Sequence, residues 1–219
     1  MYGRYAWDQN QNHQVTESVR ARILAALDES RRSAGAFVLD AGCGTGYYAA
    51  GIRDAGYRVL GVDYAGGMIN KARAKFGNLD SLRFEKADLS RALPYPDSTF
   101  DHIVSVSVLQ SVPDPVFTLR EFRRILKPEG TIVITHTPRP DGQQVAVDQD
   151  GGGRPGSVVK RSRISGILLR AKSAAERKGF SSYWTLGELK ATLARSGLAV
   201  SKTEFVCSII ILTARSGSE

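Results

Sequence analysis

The residues best placed to do chemistry are glycines and acids that close short apolar runs. Residues 38–46 read Val-Leu-Asp-Ala-Gly-Cys-Gly-Thr-Gly, with an acid at Asp40 and glycines at 42, 44 and 46. Lacking Cβ atoms, those three positions let the chain turn tightly, take positive φ and approach a ligand closely. Asp63 follows 21 residues after Gly42, and Asp88 comes 25 residues later. A carboxylate at the end of a second strand accepts bonds from both hydroxyls of a ribose. One at the end of a third strand suits the exocyclic amine of adenine, a donor that a carboxylate accepts from well. Singly, either aspartate serves equally as a helix cap or a turn residue. Three strand ends in register, each with the chemistry an adenosyl ligand needs, favour a cofactor site. The loop is not the dinucleotide fingerprint, which needs glycine where Tyr47 stands, and the P-loop lysine is missing.

Such positions need alternating strands and helices. Val15, Val19, Ile23, Leu24 and Leu27 recur at helical spacing and predict an N-terminal amphipathic helix. Strands are predicted over 36–40, 58–63, 82–87, 101–107 and 131–137, with helices over 47–55 and 68–76. A further helix starts at Asp114, where the acid caps and Pro115 lacks an N–H that the first turn would leave unpaired, and runs to about Lys127. Thr185 with Glu188 forms a capping box for a helix ending at Gly197. Residues 198–206 and 208–214 are then two strands nearly in contact, which antiparallel pairing satisfies. The expected fold is α/β: a Rossmann-like seven-stranded sheet, mostly parallel, with a C-terminal antiparallel hairpin and helices on both faces. The 219 residues suit one domain, with an N-terminal helical segment over 1–34 and an insertion after the fifth strand, about 138–183.

Charge is concentrated in that insertion. Of the net +8, the stretch from Arg154 to Lys178 carries +7: Arg154, Lys160, Arg161, Arg163, Arg170, Lys172, Arg177 and Lys178 against Glu176. A Gly/Pro/Asp-rich loop over 141–156 precedes a basic amphipathic helix over about 163–178, with Ile164, Ile167, Leu168 and Ala171 on one face. It reads as a cap over the site, at the sheet edge where such folds bind ligands. A solvated helix face, an anionic substrate, an acidic lipid surface and a nucleic acid all suit its charge. No aromatic residue stands between 139 and 179, which weighs against single-stranded RNA. The apolar face, with Leu169, favours a hydrophobic or amphipathic small molecule. The first 13 residues lack the apolar core of a signal peptide, no apolar run approaches a membrane span, and the expectation is a cytoplasmic protein. Cys43 and Cys207, with no CxxC and no nearby His, suggest neither a disulfide framework nor a zinc site.

With the further stretches Leu93-Pro-Tyr-Pro-Asp-Ser-Thr-Phe-Asp101, Val108-Leu-Gln-Ser-Val-Pro-Asp114 and Glu121-Phe-Arg-Arg-Ile-Leu-Lys-Pro-Glu-Gly130, the sequence resembles class I S-adenosylmethionine-dependent methyltransferases, in particular the group that methylates small molecules. The resemblance covers about 36–137 and, more weakly, 185–214. It implies S-adenosylmethionine as cofactor and S-adenosylhomocysteine as product. Asp40 with Gly42, Gly44 and Gly46 would hold the methionine end, Asp63 the ribose, and Asp88 with the Leu89 backbone the adenine. Tyr64 and Met68 would be the apolar contacts. Ser105, where the fourth strand ends, would offer its backbone to the methionine amine, and Gln110 would lie near the reactive side. Tyr5, from an aromatic patch with Tyr2 and Trp7, resembles a tyrosine that closes over the methionine portion. The chain departs from many relatives at Gln110-Ser111, where they carry His or Glu, and at Ala65-Gly66, where they carry Ser-Pro.

Methyl transfer is an in-line displacement in which alignment and desolvation supply much of the acceleration. A base is needed only where the nucleophile carries a proton of high pKa. Of three histidines, His13 lies in the N-terminal segment and His102 opens the fourth strand, away from the ligand edge. His136, at the carboxyl end of the fifth strand, is the candidate base or substrate contact. No carboxylate cluster follows the fourth strand, so no metal is expected. The competing expectations are an RNA or protein methyltransferase, and a cofactor-binding protein of this fold that transfers no methyl group.

Overall fold

The computed structural model describes residues 9–29, 35–137, 184–207 and 209–217. Tyr5 and the 138–183 insertion, with its basic residues from Arg154 to Lys178, lie outside them. The elements are α1 (Gln9–Asp28), β1 (Phe37–Ala41), α2 (Tyr47–Asp54), β2 (Arg58–Asp63), α3 (Gly66–Phe76), β3 (Leu82–Lys86), β4 (Phe100–Val106), a 3₁₀ turn (Leu109–Ser111), α4 (Pro115–Ile125), β5 (Leu126–His136), α5 (Leu186–Arg195), β6 (Leu198–Val206) and β7 (Ile209–Ser216). The strands form one seven-stranded sheet in the order β3-β2-β1-β4-β5-β7-β6. Pairs from β3 to β5 are parallel, whereas β7 runs antiparallel to both β5 and β6. The order reverses between β1 and β4, and ligands of open α/β sheets bind outside the carboxyl ends of the strands at such a point.

Successive side chains of a buried strand serve opposite faces, and two cores result. On one face Val38, Val59, Phe84, Val104 and Val133 meet Val19, Ile23 and Leu27 of α1, Ile52 of α2 and Ile69 of α3. On the other, Leu39, Ile103, Ile132, Ile134 and Leu212 meet Leu119, Phe122 and Ile125 of α4 and Leu189 and Leu193 of α5. Of the periodic residues predicted for α1, Val19, Ile23 and Leu27 are buried and Val15 and Leu24 half-buried, Ala26 is buried beside them, and the helix begins at Gln9, a turn and a half ahead of Val15.

Both predicted caps form. The Asp114 carboxylate accepts from the Val116 and Phe117 N–H groups at 3.0 Å. Thr185 Oγ1 accepts from Glu188 N at 3.2 Å while the Glu188 carboxylate accepts from Thr185 N at 2.7 Å. The boundary after α4 differs from expectation. Residues 128–130, left between the predicted helix and strand, are already extended backbone, because β5 starts at Leu126, which pairs with Phe100 before the register shifts. Leu126 is buried and fills the space beside Gly130, where a Cβ would come within 2.5 Å of it. The regular ladder resumes at His102 opposite Thr131, the predicted start.

Candidate functional site

The glycine loop leaves β1 and is fastened to β2. Gly42 N and Cys43 N both donate to Val62 O, at 2.8 and 2.9 Å. All three glycines take positive φ, 84° at Gly42, 54° at Gly44 and 83° at Gly46, but they face different surroundings. A Cβ at Gly42 would stand 2.3 Å from a Val108 methyl, and one at Gly46 2.7 Å from the Phe84 ring; one at Gly44 would meet nothing within 4 Å. Gly42 and Gly46 therefore admit packing neighbours, and Gly44 leaves a space at the carboxyl edge of the sheet.

Three acids lie at or near the carboxyl ends of β1, β2 and β3. Asp40, expected to end its strand, is 1% exposed and precedes Ala41, the last residue of β1; its Oδ2 has no hydrogen-bond partner, and burial pushes its carboxyl up to about 7, offset in part by the Ala49 N–H. A buried carboxyl oxygen left without a partner is costly. Asp63 ends β2 as predicted, and its two oxygens accept from Gly44 N at 3.0 Å and Ala65 N at 2.8 Å. It thus ties the glycine loop to the start of α3, which begins at Gly66 without a side-chain cap, two residues before the predicted Met68. Asp88 departs from expectation: β3 stops at Lys86, and Asp88 lies two residues beyond it in a turn. There its Oδ1 accepts from Ser90 Oγ at 2.6 Å and Ser90 N at 3.0 Å, and the Ser90 hydroxyl holds its carboxyl below the usual range.

The other expected contacts are spread along the same edge. Tyr64 is 67% exposed and Met68 half-buried. Leu89 is buried, its carbonyl accepting from Thr118 Oγ1 at 2.9 Å. Ser105 corrects its placement: it does not end β4 but precedes Val106, wholly buried, with Oγ unpartnered. The chain leaves the sheet at Ser107, which takes φ of 54° and donates its N–H to Thr135 Oγ1 at 3.1 Å. The strand expected over 101–107 thus stops one residue short of Ser107 and one residue past Ser105, because a serine in a left-handed turn carries no mark distinguishing it from one in the strand.

Gln110 and His136 meet. The Gln110 Oε1 lies 3.3 Å from His136 Nδ1, and Trp184 N donates to His136 Nε2 at 3.2 Å. The imidazole is wholly buried and stacked on Trp184, with burial pushing its pKa below the ordinary value. Both ring nitrogens of the residue expected as base or substrate contact therefore have a neighbour within hydrogen-bond distance. Sequence reasoning missed Trp184, whose single mark is an aromatic residue just ahead of the Thr185 capping box. It also missed Glu121 and Arg124, which grip the β3–β4 loop: Glu121 accepts from Leu93 N, and Arg124 donates to the Leu93 and Tyr95 carbonyls and to Asp97. Cys43 is buried, and burial pushes its thiol pKa up, against a nucleophilic role. Among the described residues no cluster of three or more His, Cys, Asp or Glu could hold a metal ion, and no helix is long and apolar enough to cross a membrane.

A methyltransferase domain model matches residues 39–134, from β1 to β5. Over that span, a little under half of the chain, the sequence is that of a class I S-adenosylmethionine-dependent methyltransferase domain. It is 25% identical to an S-adenosylmethionine-dependent methyltransferase of Mesorhizobium loti, aligned at TM-score 0.63 over 87% of this chain and 96% of that one. Magnesium protoporphyrin IX methyltransferase from Synechocystis, solved with bound S-adenosylhomocysteine, shares the fold at TM-score 0.69 and 16% identity over 99% and 90%. Demethylmenaquinone methyltransferase of Bacillus licheniformis is 32% identical over 110 residues, 49% of this chain and 47% of its own length. The chain thus spans less than half of that curated relative. S-adenosylmethionine is the cofactor of the family, and the orphaned Asp40 oxygen and the open space at Gly44 fit a ligand carrying a cationic donor.

Proposed function

We propose that this chain transfers a methyl group from S-adenosylmethionine to a small-molecule acceptor, anionic or amphipathic. The observation that carries the reading is Asp40 Oδ2, buried without a partner on the strand that leads into the glycine loop, where a Cβ at Gly44 would meet nothing within 4 Å. In this reading Asp40 and the glycine loop take the methionine end, where the ammonium group supplies the missing donor. Asp63 takes the ribose hydroxyls through the lone pairs its loop bonds leave free, and Asp88 with the Leu89 backbone takes the adenine. Tyr64 and Met68 cover the rings.

When bound, the cofactor would supply an electrophilic methyl group on a sulfonium, open to displacement by an acceptor lone pair with the carbon–sulfur pair leaving on sulfur. The chain's own part is alignment and exclusion of water. The loop bonds from Asp63 and Val62 hold Gly42 to Gly44 rigid, and Gln110 and His136 border the side on which the acceptor approaches. Demethylmenaquinone and magnesium protoporphyrin IX, the acceptors in two relatives' names, support a small organic molecule. A basic cap over 138–183 would recruit it, and peripheral contact of that segment with acidic lipid fits the same charge.

Calorimetry with S-adenosylhomocysteine and NAD, followed by a metabolite screen with methyl-labelled cofactor, tests the reading. Binding of the adenosyl ligand and transfer of label to a small molecule are the expected results. NAD binding without adenosyl-ligand binding sinks the proposal. Label appearing in RNA or protein moves the acceptor to a different class, and cofactor binding with no transfer to any cell fraction leaves a binding protein.

A further inference from the structure

The Gln110–His136–Trp184 chain of hydrogen bonds has a direction. A backbone N–H can only donate, so the Trp184 amide obliges His136 Nε2 to offer its lone pair. In a neutral imidazole the proton then sits on Nδ1. Burial at 0% exposure favours that neutral ring. Nδ1 donates to Gln110 Oε1 at 3.3 Å, so the glutamine is held by its oxygen and its NH₂ group faces the other way. Among the described residues nothing accepts from that NH₂. Gln110 is half-buried on the 3₁₀ turn, two residues after Val108, whose methyl groups press on Gly42. The same short turn thus reaches the glycine loop through Val108 and His136 through Gln110.

We propose that Gln110 is a hydrogen-bond donor dedicated to the methyl acceptor, turned outward by the Trp184–His136 relay, and that the acceptor presents an oxygen to it as carbonyl, phenolate or carboxylate. The proposal rests on the methyltransferase reading for the acceptor's presence. It moves Gln110 from the cofactor to the acceptor and makes His136 a positioning residue that touches no reacting atom. A glutamine free to flip would offer oxygen or nitrogen alike and would select nothing. Here the backbone of Trp184 chooses for it, at no cost in buried charge.

The test uses the nitrogen-15-labelled full chain with saturating S-adenosylhomocysteine. A long-range nitrogen–proton correlation spectrum, with His136→Asn identifying the signal, reports which ring nitrogen carries the proton; Nδ1 is expected. The Gln110 side-chain amide, assigned by its loss in Gln110→Glu, is then titrated with sodium benzoate and 4-nitrophenolate as oxyanion probes, and with toluene as the ring lacking oxygen. Both oxyanions should move the Gln110 amide signals and toluene should leave them in place. In Gln110→Glu, where an acceptor replaces the donor, oxyanion affinity should fall by at least about fivefold, the worth of one hydrogen bond. A proton on Nε2, oxyanions that fail to move the Gln110 amide, or equal affinity in the glutamate variant overturns the proposal. Failure of S-adenosylhomocysteine to bind wild type in calorimetry overturns the methyltransferase reading instead, while the tautomer still reports on the relay.

Discussion

Trp184 stacks on His136 with ring centroids 5.3 Å apart and planes at 27°, and its backbone N–H donates to that ring's Nε2 at 3.2 Å. The two residues are 48 positions apart. They bring the end of β5 to the start of α5, whatever the 138–183 insertion does between them. Closing so long a loop carries an entropic cost that contacts at its base must offset.

Trp184→Ala should lower stability to urea by about 1–3 kcal/mol, since Trp184 is half-buried against the α4–α5 core. Trp184→Phe keeps the stack and the backbone bond and should lose less than half of that. Equal midpoints for the alanine variant and wild type would show that the stack contributes nothing to stability. With an acceptor in hand, His136→Asn should reduce turnover far more than cofactor affinity, because its bonds reach Gln110 and Trp184 and not the glycine loop.

The three loop glycines should separate packing from binding. Gly46→Ala places a methyl group 2.7 Å from the Phe84 ring at a φ of 83°, and Gly42→Ala one 2.3 Å from Val108. Both should cost about 2–4 kcal/mol of stability, from overpacking together with positive φ. Gly44→Ala meets open space and bears the conformational cost alone, about 1 kcal/mol. Its larger effect should appear as weaker S-adenosylhomocysteine binding in calorimetry. If Gly44→Ala binds as well as wild type, the space at Gly44 is not where the cofactor lies.

Asp63→Ala should weaken cofactor binding by about 1.5–3 kcal/mol through loss of a charged acceptor for the ribose. It should also loosen the loop, since Gly44 N and Ala65 N lose their partner. Faster hydrogen exchange at those two amides in the variant would separate the second effect from the first. An unchanged dissociation constant would remove Asp63 from the ribose site.

The strands, both caps and the antiparallel finish were legible because each rests on local chemistry: apolar periodicity, a capping acid before proline, a Thr-x-x-Glu box. The positions of Asp40, Asp63 and the glycines were legible for the same reason, since a strand running into glycines can end in few ways. What escaped was contact between distant segments. Nothing in Val-Ile-Thr-His tells that the Trp184 amide, 48 residues on, occupies the histidine nitrogen that a base would need. Thr118 on the Leu89 carbonyl and Arg124 on the β3–β4 loop are equally non-local, at 29 to 31 residues. Ser105 was misplaced by one residue because the strand's end depends on the left-handed turn at Ser107 and its bond to Thr135.

Asp40 makes both stability and cofactor affinity depend on pH, in opposite directions. Burial raises its carboxyl pKa from 3.8 to about 7, so the folded state holds a proton that the unfolded chain releases. Below the unfolded value both states are protonated and there is no penalty. As pH rises from 3.8 toward 7 the unfolded state loses its proton first. Stability then falls by roughly 4 kcal/mol in all before levelling off, because each tenfold difference in proton affinity between the two states is worth about 1.4 kcal/mol. A cationic ligand reverses this, because it favours the ionised carboxylate. S-adenosylmethionine should therefore bind more tightly as pH rises to about 7, and binding below that pH should release a proton from Asp40. Melting temperatures of the ligand-free protein and of Asp40→Asn, measured across this window, isolate the contribution of the one group. The variant should show a flatter profile, as asparagine has no proton to lose. Calorimetry in two buffers of different ionisation enthalpy should detect proton release on binding by wild type and none by the variant. If wild type and Asp40→Asn run parallel across the window from 3.8 to about 7, or if binding releases no proton, the carboxyl is already ionised in the free protein and the unpartnered Oδ2 does not await a cation.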